Sequence, residues 1–415
     1  MLRKIGPRAA LAKKVIALAV ALATFLAIFA WSPTASAYPW MVRKGYTSCN
    51  VCHADPSGGN LLTPYGRALG VTEMAMKYKK GDDDPGTVGD FFFGAFKMPE
   101  PLLLGADIRS LGLFSFTGGP VRTHLYLMQA DFEGQLTLGR FRVNGNLGFA
   151  HEGAVKASIT RGNADLENRL ISRTFWAGVD IGKDKEVLLR GGRMNLPFGL
   201  RSIEHTSWVR KTTRTDINDG QQYGLALSLN LEKVRAEIMG IAGNFAIRPD
   251  SYRERGYSAY FEYAPSSSVA IGGSSLITHA DQDLDNNLPT WRQAHGLFGR
   301  VAFTKAIGLL AEADFLFKSS KDEATNAITN QFGSAALVQL DMEPVQGLHF
   351  LVTGEAKNTD VKNLGSGVGA WASIWWFFLP HMDVRIDGII RSEDPGAGAG
   401  RQSSGLLLLQ AHLYL

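Results

Sequence analysis

The chain has 415 residues, 45% of them hydrophobic and 20% charged, and its formal net charge is +4. Five of its 43 basic side chains, and none of its 39 acidic ones, lie in residues 1–37, so residues 38–415 carry a formal charge of −1. Residues 38–415 therefore have no excess of basic side chains of the kind that nucleic-acid recognition needs, and no nucleic-acid partner is expected.

Residues 1–37 have the three parts of a secretory signal peptide. Basic residues come first, an apolar stretch runs from Val15 to Trp31, and Ala35-Ser36-Ala37 supplies the small residues of a cleavage site. We therefore expect the mature chain to begin at Tyr38, and an uncleaved membrane anchor is the alternative.

Cys49, Cys52 and His53 form a C-x-x-C-H run that uses both cysteines of the chain. This spacing is typical of c-type haem attachment. Each thiol forms a thioether to a haem vinyl group, and the imidazole of His53 is then held against the iron as the proximal ligand. A Cys49–Cys52 disulfide and half of a zinc site are the alternatives, but zinc would need a second ligand pair. We predict one covalent haem c.

The motif lies in residues 38–90, a haem segment whose pattern differs from that of the rest of the chain. Thr63 and Pro64 are typical of a helix start. A second helix is predicted from Thr72 to Lys80. The segment is too short for a self-sufficient cytochrome, so the haem and the remainder of the protein are expected to complete its core.

The sixth ligand of the iron is predicted to be Met74 or Met76, because both lie downstream in the predicted second helix, from which a thioether can reach back to the iron. Ligation by Met raises the reduction potential. The alternative for each is a gap-filling core methionine. Met41, Met98, a histidine further along the chain or an open site are the other choices for the iron. Arg67 is a candidate donor to a haem propionate, or else a solvated helix residue.

From Leu102 onward the side chains alternate with a period of two. Over 382–391 one face reads Met, Val, Ile, Gly, Ile and the other reads Asp, Arg, Asp, Ile, Arg. Alternating charge is costly inside a soluble β-sandwich but suits a wall with lipid on one side and water on the other. Residues 91–415 are therefore predicted to form an all-β fold, a transmembrane antiparallel β-barrel of about 16 strands.

Short and long connections alternate between the predicted strands. Short turns at one end and long polar loops at the other are typical of the periplasmic and extracellular ends of an outer-membrane barrel. This places both ends of the barrel chain on the periplasmic side.

The run RGGRMNLPFGLR, residues 190–201, resembles the strand-to-loop segment of the general bacterial porins. In that family the third outer loop, here Gly199–Gln221, folds inward and narrows the pore, whereas the alternative is a solvated loop. The residues that would line such a constriction are Glu204, His205, Arg210, Lys211, Arg214, Asp216 and Asp219.

The order of elements resembles the outer-membrane monohaem cytochrome–porin fusions, whose best-known members oxidise extracellular ferrous iron. The specific part is a Pro soon after the cleavage site, a basic residue before a Gly, the haem motif and then Gly66-Arg67. The resemblance implies an outer-membrane protein of a Gram-negative bacterium, with its haem in the barrel lumen or at its periplasmic side. It also implies an extracellular electron donor or acceptor such as Fe(II), a periplasmic carrier such as a soluble cytochrome, and surrounding lipid.

Electron transfer across the outer membrane is the favoured function, and no catalytic residue is assigned. One rival is a solute porin with the haem segment as an accessory or gate. Another is a haem enzyme acting on a small ligand, which needs an open iron site.

Overall fold

The computed structural model describes residues 39–76, 91–92, 94–96, 98–117, 119–149, 170–204, 206–218, 220–243, 253–322, 324–362, 365–396 and 400–415. The predicted signal peptide, the end of the predicted second helix at 77–80, and His205 and Asp219 lie outside these residues.

One antiparallel sheet of 17 strands makes up most of the described chain. The strands are β1 (Leu102–Phe116), β2 (Arg122–Leu138), β3 (Phe141–Phe149), β4 (Leu170–Ile171), β5 (Phe175–Ile181), β6 (Val187–Met194), β7 (Gln222–Asn230), β8 (Val234–Gly243), β9 (Arg255–Ser266), β10 (Val269–Ala280), β11 (Thr290–Ala302), β12 (Ile307–Lys321), β13 (Ile328–Val345), β14 (Leu348–Asn358), β15 (Ser366–Leu379), β16 (Met382–Glu393) and β17 (Gln402–Tyr414). Because β4 and β5 both pair with β3, they share one position in the wall. Pairing of β1 with β17 closes the sheet. The predicted barrel of about 16 strands is confirmed.

The wall is apolar outside and polar inside. On β16 the inward-facing Asp383, Arg385 and Asp387 are buried, whereas the outward-facing Ile386 and Ile390 are 44% and 68% exposed. This distribution is the reverse of a soluble barrel and matches a wall whose outer face lies in lipid. The described helices include none with the length and hydropathy to cross a membrane.

Residues 39–76, which we call the lumen segment, pack against the inner face of the barrel. Trp40 and Met41 are buried there among side chains of β14 and β15. Arg43 lies 2.6 Å from Asp341 and 2.8 Å from Glu343, both near the end where the strands join by short turns. The lumen segment is therefore anchored inside the barrel near its short-turn end.

Helix α1 (Pro64–Leu69) begins where the sequence predicts, because Thr63 Oγ1 accepts a hydrogen bond from Gly66 N. The predicted second helix is instead a π-helical turn, Gly70–Met74, followed by extended backbone at Ala75. Met76 N then donates to Phe377 O on β15. The barrel backbone thus replaces the intrahelical partner that a longer helix would have supplied.

Residues 195–221, between β6 and β7, also enter the lumen, and we call them the inner loop. They contain the short helix α2 (Trp208–Thr213). Trp208 N donates to Glu355 Oε2, and the buried Arg210 pairs with Glu312 on β12. The inward fold expected from the porin resemblance is confirmed over the described part of this loop.

Candidate functional site

The haem motif forms a tight turn that brings its three functional side chains to one cavity. Cys49–Val51 is a 3-10 helix, and the N–H groups of Cys52 and His53 both donate to Cys49 O, at 3.2 and 2.9 Å. Cys49 and Cys52 are not joined by a disulfide, and both line the cavity together with His53. The cavity, its open mouth included, has about 1060 Å³ of space.

Two glycines allow the close packing around the motif. Gly58 has φ +79, and a Cβ there would lie 3.3 Å from Cys49 Sγ. A Cβ on Gly66 would lie 2.2 Å from Cys52 O, so only glycine lets α1 pack this closely on the motif. Gly66, the first residue of the Gly66-Arg67 pair named in the family resemblance, therefore has a steric role in this chain.

His53 is oriented by a hydrogen bond at the far side of its ring. Its Nδ1 lies 3.3 Å from Asn60 O. A proximal haem ligand has this arrangement, because a carbonyl partner for Nδ1 fixes the tautomer and leaves Nε2 for iron. Burial lowers the pKa of His53 against the opposing effects of Asn60 O and Asp55, which favours the neutral imidazole that a metal ligand needs.

A buried ion pair fixes the residues after the motif to the barrel wall. Asp55 Oδ2 lies 2.6 Å from Arg190 Nη1 and also accepts a hydrogen bond from Trp176 Nε1 at 2.9 Å. Ser57 N also donates to Asp55. The wall therefore completes the environment of the motif, as expected for a segment too short to fold alone.

Met74 is better placed than Met76 to reach an iron beside His53. Met74 is buried and lines the cavity, as does Met41, whereas Met76 Sδ accepts a hydrogen bond from Trp376 Nε1. His412 lines the cavity too, but its Nδ1 and Nε2 lie 2.8 and 3.2 Å from carboxylates of the wall. Because both ring nitrogens are engaged, a methionine remains our prediction for the sixth position.

The arginines beside the cavity differ from the one singled out in the sequence. Arg67 is buried, donates to Leu104 O on β1 and does not line the cavity. Arg109, Arg173 and Arg201 do line it, and the sequence analysis missed all three. For Arg109 a signal existed, because alternation along β1 places it on the same inward face as Asp107.

Arg173 reaches the cavity because the wall strand is interrupted over 172–174. Asn146 Oδ1 accepts from the N–H groups of Arg173 and Thr174 at 2.7 and 3.0 Å. A side chain thus replaces ladder partners between β4 and β5. Local alternation cannot reveal this break, because its cause lies on the neighbouring strand.

A second cavity, of about 610 Å³, adjoins the first between the inner loop and the wall. Glu204 lines it and lies 3.1 Å from Arg385, which also contacts Asp387 at 2.8 Å. Trp371 and Trp375 complete its wall. Of the predicted constriction residues that the structure describes, Glu204 is the one that lines either cavity.

The other predicted constriction residues have different surroundings. Arg210 is fully buried against Glu312, and Lys211 is exposed. Arg214 lies 2.8 Å from Asp283 in the neighbouring outer loop. Asp216 is buried, and burial raises its pKa to about 6 despite hydrogen bonds from Asn218.

The raised pKa of Asp216 predicts a pH-dependent inner loop. The carboxyl binds its proton more tightly in the packed loop than in free chain, where its pKa is 3.8. The protonated Asp216 carboxyl therefore contributes stability to the packed loop, fully below pH 3.8. This contribution is lost as the pH rises through about 6 and the carboxyl ionises. The loss is at most about 3 kcal/mol. Protease cleavage of the inner loop should increase over this window, and Asp216→Asn should remove the step and give a more resistant loop at pH 7.5.

Asp283→Asn is the control for that experiment. Burial raises the pKa of Asp283, but hydrogen bonds from Arg214 and Lys318 outweigh this effect and hold the pKa below its ordinary value. Asp283 therefore stays ionised between pH 4 and 7, and Asp283→Asn should leave the pH-dependent step in cleavage unchanged. A wild-type cleavage rate that does not change over this range would contradict the assignment to Asp216.

The donor set fits haem c. Two thiols that form no disulfide and an oriented imidazole share one cavity with methionine sulfurs, apolar side chains and arginines. Among the described residues no group of three or more His, Cys, Asp or Glu side chains is arranged to hold a metal ion by itself. The iron would therefore be held through the porphyrin, with His53 and one further ligand from the protein.

Comparisons with known proteins bear on the fold alone. No protein-family model and no curated protein matches the chain. Solved structures match the barrel. A loop L8 deletion mutant of OmpT, an outer membrane protein of Vibrio cholerae, has TM-score 0.57 and 8% identity over 76% of this chain and 99% of its own. The outer membrane channel DcaP of Acinetobacter baumannii has a TM-score of 0.56 and 10% identity, and the match covers 77% of this chain and 99% of DcaP. An anion-selective porin from Comamonas acidovorans has TM-score 0.55 and 10% identity over 76% and 99%. The chain therefore has the porin-like fold of outer-membrane β-barrels.

Proposed function

We propose that this protein binds one haem c covalently inside an outer-membrane barrel and transfers electrons across the membrane. The observation that carries the proposal is the convergence of Cys49, Cys52 and His53 on a single cavity walled by the barrel and the inner loop. The haem, when bound, supplies the one-electron chemistry. The two cysteines hold it, His53 ligates its iron, and Met74 or Met41 is the candidate sixth ligand.

The position of the cavity suits passage of electrons between the two faces of the barrel. The apolar band of an outer-membrane barrel is about 25 Å tall, too wide for efficient electron passage without a cofactor inside. The motif lies in the lumen segment at the short-turn end, and the inner loop enters from the long-loop end. We assign the short-turn end to the periplasm and a soluble electron carrier. The long-loop end then faces an extracellular donor such as Fe(II).

A solute porin is the second candidate, and the fold favours it, because two of the similar structures are named as a channel and a porin. The burial of charged side chains that face the lumen argues against free diffusion of solutes through the barrel. Arg190, Glu262 and Asp341 face inward, yet each is no more than 1% exposed. Side chains lining an open aqueous pore would be solvated. A large conductance of wild-type protein in planar bilayers would favour the porin.

Changing both Cys49 and Cys52 to Ala is expected to abolish covalent haem completely, because no thioether then forms. The barrel should persist, since its strands do not depend on the motif. Haem staining after denaturing electrophoresis measures the first effect, and heat-modifiable migration measures the second.

Val51→Ala is the matched control, because Val51 lies between the two cysteines, is 37% exposed and should leave haem attachment unchanged. If electron delivery across intact outer membranes is the same for the double variant and the wild type, electron transfer is not the function.

A further inference from the structure

Arg109, Arg173 and Arg201 line the cavity from the barrel wall and the inner loop. Among the described lining residues the one carboxylate is Asp107. Three guanidinium groups and one carboxylate therefore face the cavity from the wall and the inner loop, while the carboxylates of Asp131 and Glu237 lie behind Arg173 and Arg201. A ligand group that pairs with these guanidinium groups must be anionic.

Two of these arginines, Arg173 and Arg201, have hydrogen-bond donors to spare. Arg201 donates to Pro56 O at 3.2 Å and to Glu237 Oε2 at 2.8 Å, while its Nε is buried with no hydrogen-bond partner. Arg173 Nη1 pairs with Asp131, and its Nε is likewise buried with no partner. A guanidinium has five N–H donors in a planar fork that suits a second carboxylate.

The backbone of Arg201 is held in an unusual conformation at this position. Its φ is +53, in the left-handed region that strains the backbone of a non-glycine residue. The guanidinium is held 4.3 Å from the ring centroid of Tyr260. The inner loop therefore keeps a strained residue aimed at the cavity, as functional sites often do.

We propose that Arg109, Arg173 and Arg201 bind the two propionate carboxylates of the haem. This inference rests on the proposed function. It assigns the haem site jointly to the lumen segment, which holds the vinyl groups and the iron, and to the barrel wall and inner loop, which hold the propionates. The pore-constricting loop of the porin fold then has a second role as a cofactor-binding element.

Arg201→Gln and Arg109→Gln are the informative variants, because the carboxylate behind each keeps another cation. Glu237 keeps Arg190, and Asp107 keeps His412. Arg173 is less suitable alone, because its loss would leave Asp131 without its cation and free to take up a proton. The combined change Arg173→Gln with Asp131→Asn avoids this.

Loss of a positive charge beside the propionates favours ferric over ferrous haem, so the midpoint potential should fall. We expect about a tenfold shift of the one-electron equilibrium for Arg201→Gln, which equals 59 mV. Arg201→Lys keeps the charge and should restore most of the potential. Lys211→Gln removes a charge from the same loop at an exposed position away from the cavity and should leave the potential unchanged.

The measurement is a redox titration of purified, haem-loaded protein followed by its visible absorption. Heat-modifiable migration verifies each barrel, and Arg109→Gln provides an independent variant if Arg201→Gln does not assemble. Potentials of both variants equal to that of the wild type would overturn the arginine assignment alone. A wild-type protein that matures without covalent haem would overturn the proposed function itself.

Discussion

Arg43→Ala is expected to release the lumen segment from the barrel wall. The Arg43 side chain is fully buried between Asp341 and Glu343, and its guanidinium also lies 5.3 Å from the ring of Trp40. Glu343 keeps Lys44 at 3.2 Å, but the buried Asp341 carboxylate loses its arginine partner, and breaking a buried ion pair in this way costs about 3–5 kcal/mol. The undocked fraction of the lumen segment should therefore rise by roughly two to four orders of magnitude.

Thiol labelling measures this release in protein produced without haem attachment. Cys52 is 4% exposed, so a maleimide reagent should modify wild-type protein slowly and Arg43→Ala rapidly. Conductance in planar bilayers should increase in parallel, because the lumen segment packs inside the barrel. Arg255→Ala is the control, since Arg255 forms an exposed ion pair with Asp281, away from this cluster and of a kind worth about 0–1 kcal/mol. Equal labelling rates in Arg43→Ala and wild type would show that this cluster does not hold the segment.

The second large effect is expected for Arg210→Ala, which should release the inner loop. Arg210 pairs with Glu312, and both side chains are about 1% exposed. It also donates to Phe198 O at 3.3 Å and to Thr215 Oγ1 at 2.9 Å. Asp314, next to Glu312, is 1% exposed, and its carboxylate oxygens have no hydrogen-bond partner.

Without Arg210 this part of the wall would bury two carboxylates with no cation, at a cost of about 3–5 kcal/mol. We expect rapid protease cleavage within 195–221 and larger single-channel conductance. Lys211→Ala, at an exposed neighbouring position of α2, should change neither. Protease resistance equal to that of the wild type in Arg210→Ala would assign the loop's position to its other contacts, such as Trp208 with Glu355.

The lumen segment and the inner loop are also linked to each other through the wall. Asp55 of the segment pairs with Arg190, which pairs with Glu237 at 2.5 Å. Glu237 in turn holds Arg201 of the loop, and Arg201 donates back to Pro56 O of the segment. Because every member is buried or nearly so, loosening either element should weaken the other. Arg43→Ala and Arg210→Ala are therefore expected to be less than additive in conductance.

Sequence by itself determined the features that depend on local chemistry. Alternation with a period of two follows from the pleat of a strand between lipid and an aqueous lumen, and it gave the barrel and its strand count. The C-x-x-C-H spacing and the Thr63-Pro64 helix start are equally local. Each of these is encoded within a few consecutive residues.

Only the tertiary structure decided which distant side chains meet in the lumen. The partner of Arg43, Glu343, is 300 residues away, and no local pattern specifies it. Arg173 enters the cavity through a strand break imposed by Asn146. Met74 rather than Met76 lines the cavity, because the backbone N–H of Met76 donates a hydrogen bond to Phe377 O of β15 and holds that residue at the wall. Strand register and barrel closure set these juxtapositions, and both arise from the pairing of all strands together, whereas periodicity states only which face a residue occupies.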